Sequence, residues 1–218
     1  MIERIKNIII TNYKWLICFI CLILFLALAE DVFNKELMNG DIIGYEFISK
    51  YLINDTVTPI IKFITFLGSA VWLIALTAIL FLIIKNKKTG YLITINLVLI
   101  TILNQAFKFI LQRPRPTEYR IVNETGYSFP SGHSMISMAF YGFLIYLIYK
   151  NIKNKYLKFI LIGLLSFLIV SIGISRIYLG VHYTSDVLAG FLISISYLIL
   201  YIGLINKLGF NKELIDEK

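Results

Sequence analysis

Six uninterrupted apolar runs punctuate the chain, at approximately residues 15–29, 67–84, 91–111, 131–149, 157–178 and 185–205. A hydrocarbon core about 30 Å thick is crossed by roughly 20 helical residues, which is the order of these runs. They are apolar all round instead of carrying one apolar stripe, so they predict lipid-facing spans and not the long amphipathic helices of a soluble protein. The pattern is therefore that of an all-α polytopic membrane protein, six transmembrane helices in one bundle. No repeat, low-complexity tract or composition break divides it, and residues 1–218 are expected to form a single integral membrane domain.

Two connections on one side are long. In residues 30–66 acids alternate with Ile42, Ile43, Tyr45, Ile48, Tyr51 and Leu52 at near-helical spacing, which predicts an interfacial helix that guides a lipid or caps the bundle. In residues 113–130 fall Pro114, Pro116 and Pro130, three of the chain's 4 prolines. Fixed φ and missing amide donors end one span there and delay the next, so this is a loop.

Composition agrees with the membrane reading, with 58% hydrophobic residues and 16% charged ones. The net charge of +8 belongs to topology. Arg4, Lys6, Lys14, Lys85, Lys87, Lys88, Lys150, Lys153, Lys155, Lys158, Lys207, Lys212 and Lys218, 13 of the 21 basic residues, fall on one side of the six spans. The positive-inside rule makes that side, with both termini, cytoplasmic. Basic residues spread by loop in this way, rather than along one face, do not describe a nucleic-acid surface. The basic amino terminus, apolar run and Ala27-Leu28-Ala29 resemble a secretory signal, but the run is long for one and an uncleaved anchor is expected. Cys18 and Cys21 have redox spacing inside the first span, where a thiolate cannot be solvated, so they are expected to pack.

Ionisable groups at or within spans are costly and mark function. Lys108 lies near the outer end of the third span with Arg115 just beyond; Ser131, Gly132 and His133 open the fourth; Arg176 closes the fifth; His182 and Asp186 open the sixth. Alternating direction brings all of these to one face, and both histidines of the chain are among them. One snorkelling Lys or Arg would need no explanation, but the joint cluster does. Cations, imidazoles and a carboxylate suit an anionic substrate, and phosphoryl transfer in particular. His182 and Asp186, four residues apart, share a helical face if the sixth span begins near His182, so the carboxylate would orient the imidazole as a nucleophile. His133 would be the acid for the leaving oxygen and then the base for water. Ser131 as helix cap and Gly132 beside it would form an anion site, with Lys108, Arg115 and Arg176 on the remaining oxygens.

These residues also form three spaced motifs: Lys108, six residues, Arg115-Pro116; Pro130-Ser131-Gly132-His133; and Ser175-Arg176, five residues, His182, three residues, Asp186. In this the chain resembles the type-two phosphatidic acid phosphatase family, whose soluble relatives include vanadium haloperoxidases. The motif core runs from residue 108 to 186. The resemblance implies a metal-independent lipid phosphatase without a cofactor, with His182 as nucleophile, Asp186 its partner, His133 the acid, and Lys108, Arg115, Ser131, Gly132 and Arg176 on phosphate. Size, the segment Thr65-Phe66-Leu67-Gly68-Ser69 and an outward site are similar to bacterial phosphatidylglycerophosphate phosphatases. Undecaprenyl pyrophosphate phosphatases are the alternative. The implied partner is a lipid phosphate in the bilayer, and the implied location is the cell membrane with the site on its outer face.

Other classes fit less of the pattern. A transporter would place charge at the midplane between inverted repeats. A protease pairing Ser131 with His182 leaves the cations without work, and a metal hydrolase would not need them. A phosphotransferase differs only in the acceptor and shares every residue.

Overall fold

The computed structural model describes residues 2–35, 38–117 and 120–209, and every regular element among them is helical. The order is α1 (Ile2–Phe33), α2 (Asn39–Tyr51), α3 (Val57–Phe66), α4 (Ala70–Ile83), α5 (Lys87–Leu111), α6 (Gly132–Asn151), α7 (Lys155–Tyr178) and α8 (Thr184–Lys207). Four of the starts, those of α4 to α7, are set by small polar residues whose side chains accept otherwise orphaned amides. Ser69 takes the Trp72 N–H, Asn86 the Lys88 N–H, Ser131 the Ser134 N–H, and Asn154 those of Tyr156 and Leu157. At its other end α5 stops in a left-handed Gln112, φ 45°, just before Arg113-Pro114.

Asn12–Phe33, α5, α6, α7 and α8 are each long and apolar enough to cross a membrane. The expected second span is different. Its 14-residue α4 is only about 21 Å long at 1.5 Å per residue, short of the hydrocarbon thickness. It continues into α3 through a 52° bend at Leu67-Gly68-Ser69, so in place of the straight run 67–84 the chain has a bent helix pair, which makes a sixth crossing if the two helices together form one span. The bend is held from α6: Trp72 Nε1 donates to Tyr141 Oη at 3.0 Å, and Tyr141 Oη donates to the Leu67 carbonyl at 2.6 Å.

Within lipid, helices gain little from burying apolar surface against each other, so small residues and interhelical hydrogen bonds hold the bundle. Gly190 on α8 lets that helix lie against the start of α6; a Cβ there would be 3.1 Å from Met135 N and Ser131 O. Ser194 Oγ donates to the Met135 carbonyl at 2.7 Å, Asn96 Nδ2 to Ala139 O at 3.0 Å, and Tyr201 Oη to Leu92 O at 2.7 Å. Antiparallel to α8 runs α1, with Trp15 near Gly203, Cys18 bonded to Ser196, and Phe25 stacked on Phe129. Both cysteines are buried and free, as the packing expectation required. The outward positions are apolar, among them Leu82, Phe109 and Phe159.

A helix does form over the stretch expected for one in residues 30–66, as α2, and α3 follows it. On α2, Ile42, Ile43, Phe47 and Tyr51 face outward, while Ile48 and the carboxylate Asp41 are buried. Close approach to α8 is what seats Asp41: a Cβ on Gly44 would fall 2.3 Å from Thr184 Oγ1.

Candidate active site

The end of α5, the start of α6, the end of α7 and the start of α8 meet at one end of the bundle around a cavity of about 430 Å³. Lys108, Arg115, Gly132, His133, Arg176 and His182 line it, as the alternation of spans predicts. Ser131 and Asp186 do not line it; both are fully buried behind its wall. The Ser131 hydroxyl accepts the Ser134 amide at 3.4 Å and its own N–H donates to the Asp186 carbonyl at 3.0 Å, so it ties α6 to α8. The bare Gly132 lies close against Asn104, where a Cβ would be 3.1 Å from Oδ1.

His182 precedes α8 instead of lying on its face, because the helix begins at Thr184. The pairing with Asp186 is made across the helix start: Asp186, in the first turn, accepts the Tyr183 N–H at 2.9 Å and faces His182 Nδ1 at 3.3 Å. A carboxylate there also faces the positive end of the helix dipole. Ser128 donates its hydroxyl to the same carboxylate oxygen and lies 3.3 Å from His182 Nδ1. On the ring's other side Arg115 Nη1 is 3.1 Å from Nε2. A guanidinium only donates, so Nε2 carries the lone pair and Nδ1 the proton, shared between Asp186 and Ser128. Burial drives the His182 pKa down to about 4 against the opposing pull of Asp186, so the ring is neutral at pH 7. The Nε2 lone pair is thus held by Arg115 at the cavity wall, and it is free to meet an electrophile there only when that contact opens.

The cations are held in place by the wall. Arg115 donates to the Thr125, Gly126 and Val181 carbonyls at 3.0–3.1 Å, Lys108 to the Tyr127 carbonyl, and Arg176 Nη1 to Thr65 Oγ1 at 2.7 Å. Arg176 Nη2 meets Glu124 Oε1 at 2.5 Å. Burial alone would raise the Glu124 pKa, but the neighbouring positive groups, Arg176 first and Arg115 after it, together keep the carboxyl below its usual range. His133, in the first turn of α6, lies beside the bend of the broken span, its Cδ2 3.4 Å from where a Cβ on Gly68 would sit.

Behind the site runs a buried ionic chain that spacing does not reveal. Arg113 bridges Asp41 and Asp186, at 2.7 Å to each, and also donates to Ser185 Oγ at 2.7 Å. Asp41 closes the unit by accepting the Ser185 N–H at 2.7 Å and the Ser185 hydroxyl at 2.8 Å. The guanidinium stacks on Tyr183, 4.2 Å from the ring centroid. The doubled Arg-Pro of residues 113–116 is the only local hint of this chain. Asp41 has none, standing 144 residues from Ser185.

Comparison with known proteins agrees with the motif resemblance. Residues 88–210 match the PAP2 superfamily. Phosphatidylglycerophosphatase B of Bacillus subtilis is 30% identical over 194 residues, 84% of this chain and 92% of the relative. An undecaprenyl-diphosphatase of Sulfolobus acidocaldarius is 28% identical over 193 residues, 83% of this chain and 85% of the relative. Among solved structures, the transmembrane PAP2-type phosphatidylglycerolphosphate phosphatase of Bacillus subtilis superposes with a TM-score of 0.76 at 29% identity, over 87% of this chain and 96% of that one. The chain is a multi-pass membrane protein of the PAP2 superfamily.

Proposed function

We propose that this protein is a membrane lipid phosphatase that hydrolyses a lipid phosphomonoester, of the phosphatidylglycerophosphate or phosphatidic acid type, through a phosphohistidine on His182. The observation that carries the reading is the state of His182: neutral, with its proton on the Asp186 side and its Nε2 lone pair at the wall of a cavity lined by Lys108, Arg115 and Arg176, held there by Arg115 until an entering phosphate draws the guanidinium away. When phosphate enters, these cations neutralise its oxygens, and Gly132 at the α6 N-terminus offers backbone amide. His182 Nε2 forms the bond to phosphorus as the bond to the lipid oxygen breaks, and His133 gives that oxygen a proton. Water then attacks phosphorus, the P–N bond breaks, and the water proton passes to His133. Asp186 stabilises the imidazolium character that builds up between the two steps.

The topology that fits places both termini in the cytoplasm and the cavity at the outer face, with the outward apolar residues of α2 at the membrane surface. One domain spans residues 1–218. The cavity is bordered by Gly68 and Ala70 at the bend and by Gln105 and Phe109 on α5, so a lipid can reach it from the side. The undecaprenyl-diphosphatase relative favours a second reading, a prenyl diphosphate at the same residues. Phosphate release by the purified protein from phosphatidylglycerophosphate, phosphatidic acid and undecaprenyl diphosphate in detergent tests both. The highest kcat/KM is expected on a phosphomonoester; preference for the diphosphate selects the second reading, and release from none of them ends the proposal.

A further inference from the structure

Among the described residues one carboxylate, that of Glu124, lines the cavity, and it lies where the substrate's charge must go. All three cavity cations are engaged by a single stretch of the loop between α5 and α6. Arg115 holds the Thr125 and Gly126 carbonyls, Lys108 the Tyr127 carbonyl and Arg176 the Glu124 carboxylate. Gly126, at φ 73°, supplies the left-handed residue that turns successive carbonyls toward the arginine. Asp186, the other nearby acid among the described residues, is turned away from the cavity and bound by Arg113.

Arg176 shows that the arrangement is incomplete. Its side chain is 2% exposed, yet Nε has no hydrogen-bond partner among the described residues. Nε and Nη2 form one edge of a guanidinium, the edge that grips an anion with two parallel bonds. Glu124 fills only its Nη2 half, at 2.5 Å. Glu124 is also the least enclosed member of the pair, with its side chain 32% exposed, so it can swing out while Arg176 cannot.

We infer that Glu124 is an internal substitute for the substrate phosphate on Arg176, displaced when phosphate binds and returning when phosphate leaves. The exchange replaces a one-bond contact by a two-bond one and satisfies the orphaned Nε. It also sets a limit on affinity: the carboxylate competes for the same edge and repels a phosphate dianion nearby. Its function would be to keep inorganic phosphate, the product, from holding the site, so that turnover is not throttled by release. Glu124 is on this account a specificity and release determinant, and it forms no bond to the reacting atoms. The inference rests on the phosphatase reading of this cavity.

Binding of inorganic phosphate and of orthovanadate to the full-length protein in detergent, by titration calorimetry, tests it, with Ki for phosphate in the turnover assay as a second readout. Glu124→Gln keeps the side chain's size and removes its charge; Glu124→Ala removes the competitor altogether. Both are expected to bind phosphate about tenfold more tightly than the unaltered protein, the difference between displacing a charged and a neutral acceptor. Glu124→Asp, charged but a methylene shorter, should fall between. Equal or weaker phosphate binding by both the Gln and Ala variants, with Arg176→Ala binding weakly as a control, would overturn the inference and leave Glu124 as a mere orienter of Arg176. If the unaltered protein binds neither anion, the phosphate-site reading itself fails, and this one with it.

Discussion

Arg113→Met removes the guanidinium that lies between two buried carboxylates while roughly conserving the length of the side chain. Asp41 and Asp186 are 1% and 0% exposed, and each loses a 2.7 Å charge-assisted bond. Breaking a buried pair from one side costs about 3–5 kcal/mol when nothing else compensates. Here each acid keeps donors: Asp41 has the Ser185 amide and hydroxyl, and Asp186 has Tyr183 N–H, Ser128 and the His182 ring. The expected loss is therefore near the lower end, about 3 kcal/mol. Asp41→Asn alone should cost about 1.5–3 kcal/mol, the worth of one hydrogen bond to a charged group. In the double variant Asp41→Asn no longer removes a partner of Arg113, so most of its cost vanishes, giving a coupling of about 1.5–3 kcal/mol. Denaturant titration of the four proteins in one detergent measures it. Additive losses would refute the chain from α2 to Asp186. Turnover adds a second reading: because Asp186 is loosened, kcat should fall in Arg113→Met with KM much less affected.

Four further outcomes follow from the same geometry. His182→Ala should abolish turnover, and quenched unaltered enzyme should yield an acid-labile phosphoramidate; a fully active variant excludes the nucleophile. His133→Ala should slow hydrolysis of a lipid alkoxide by roughly 10²–10⁴-fold, and much less for an aryl phosphate whose leaving group needs no acid, so equal losses on both would remove the acid role. Because burial depresses the His182 pKa from 6.5 to about 4, the unfolded chain binds the extra proton between those values. Its stabilising contribution is then whole above about pH 6.5 and is lost as pH falls toward 4; His182→Gln should flatten that part of the stability–pH curve, and an unchanged slope would contradict it. Gly190→Ala would set a Cβ 3.1 Å from backbone atoms of Ser131 and Met135, which cannot rotate aside. A stability loss of about 1–3 kcal/mol is expected from such overpacking, and a neutral result in thermal unfolding would show that α6 and α8 are not seated as described.

Much of the site was legible because its residues are expensive where they stand. Lys108, His133 and Arg176 interrupt apolar runs and His182 stands just before one, and helix alternation alone carries them to one end. Capping by Ser131 was equally readable, since a small polar residue before an apolar run has few other uses. The bend at Gly68 was not, because hydropathy is indifferent to direction and the run across residues 67–84 reads the same whether straight or broken. Nor was the placement of His182 before α8, since a four-residue interval is satisfied both by a helix face and by a helix start.

By itself the sequence determined the all-helical, multi-pass membrane class and the set of charged residues destined for one face, because lipid permits no other home for such runs and exacts a high free-energy cost for each buried charge. Only the tertiary structure decided which groups answer which. It paired Asp41 with Arg113 and Ser185 across 72 and 144 residues, gave Asp186 its second partner, and set Glu124 on Arg176. Ion pairs and hydrogen bonds act over about 3 Å, and which atoms come that close depends on helix packing and loop path, for which no spacing along the chain is a measure.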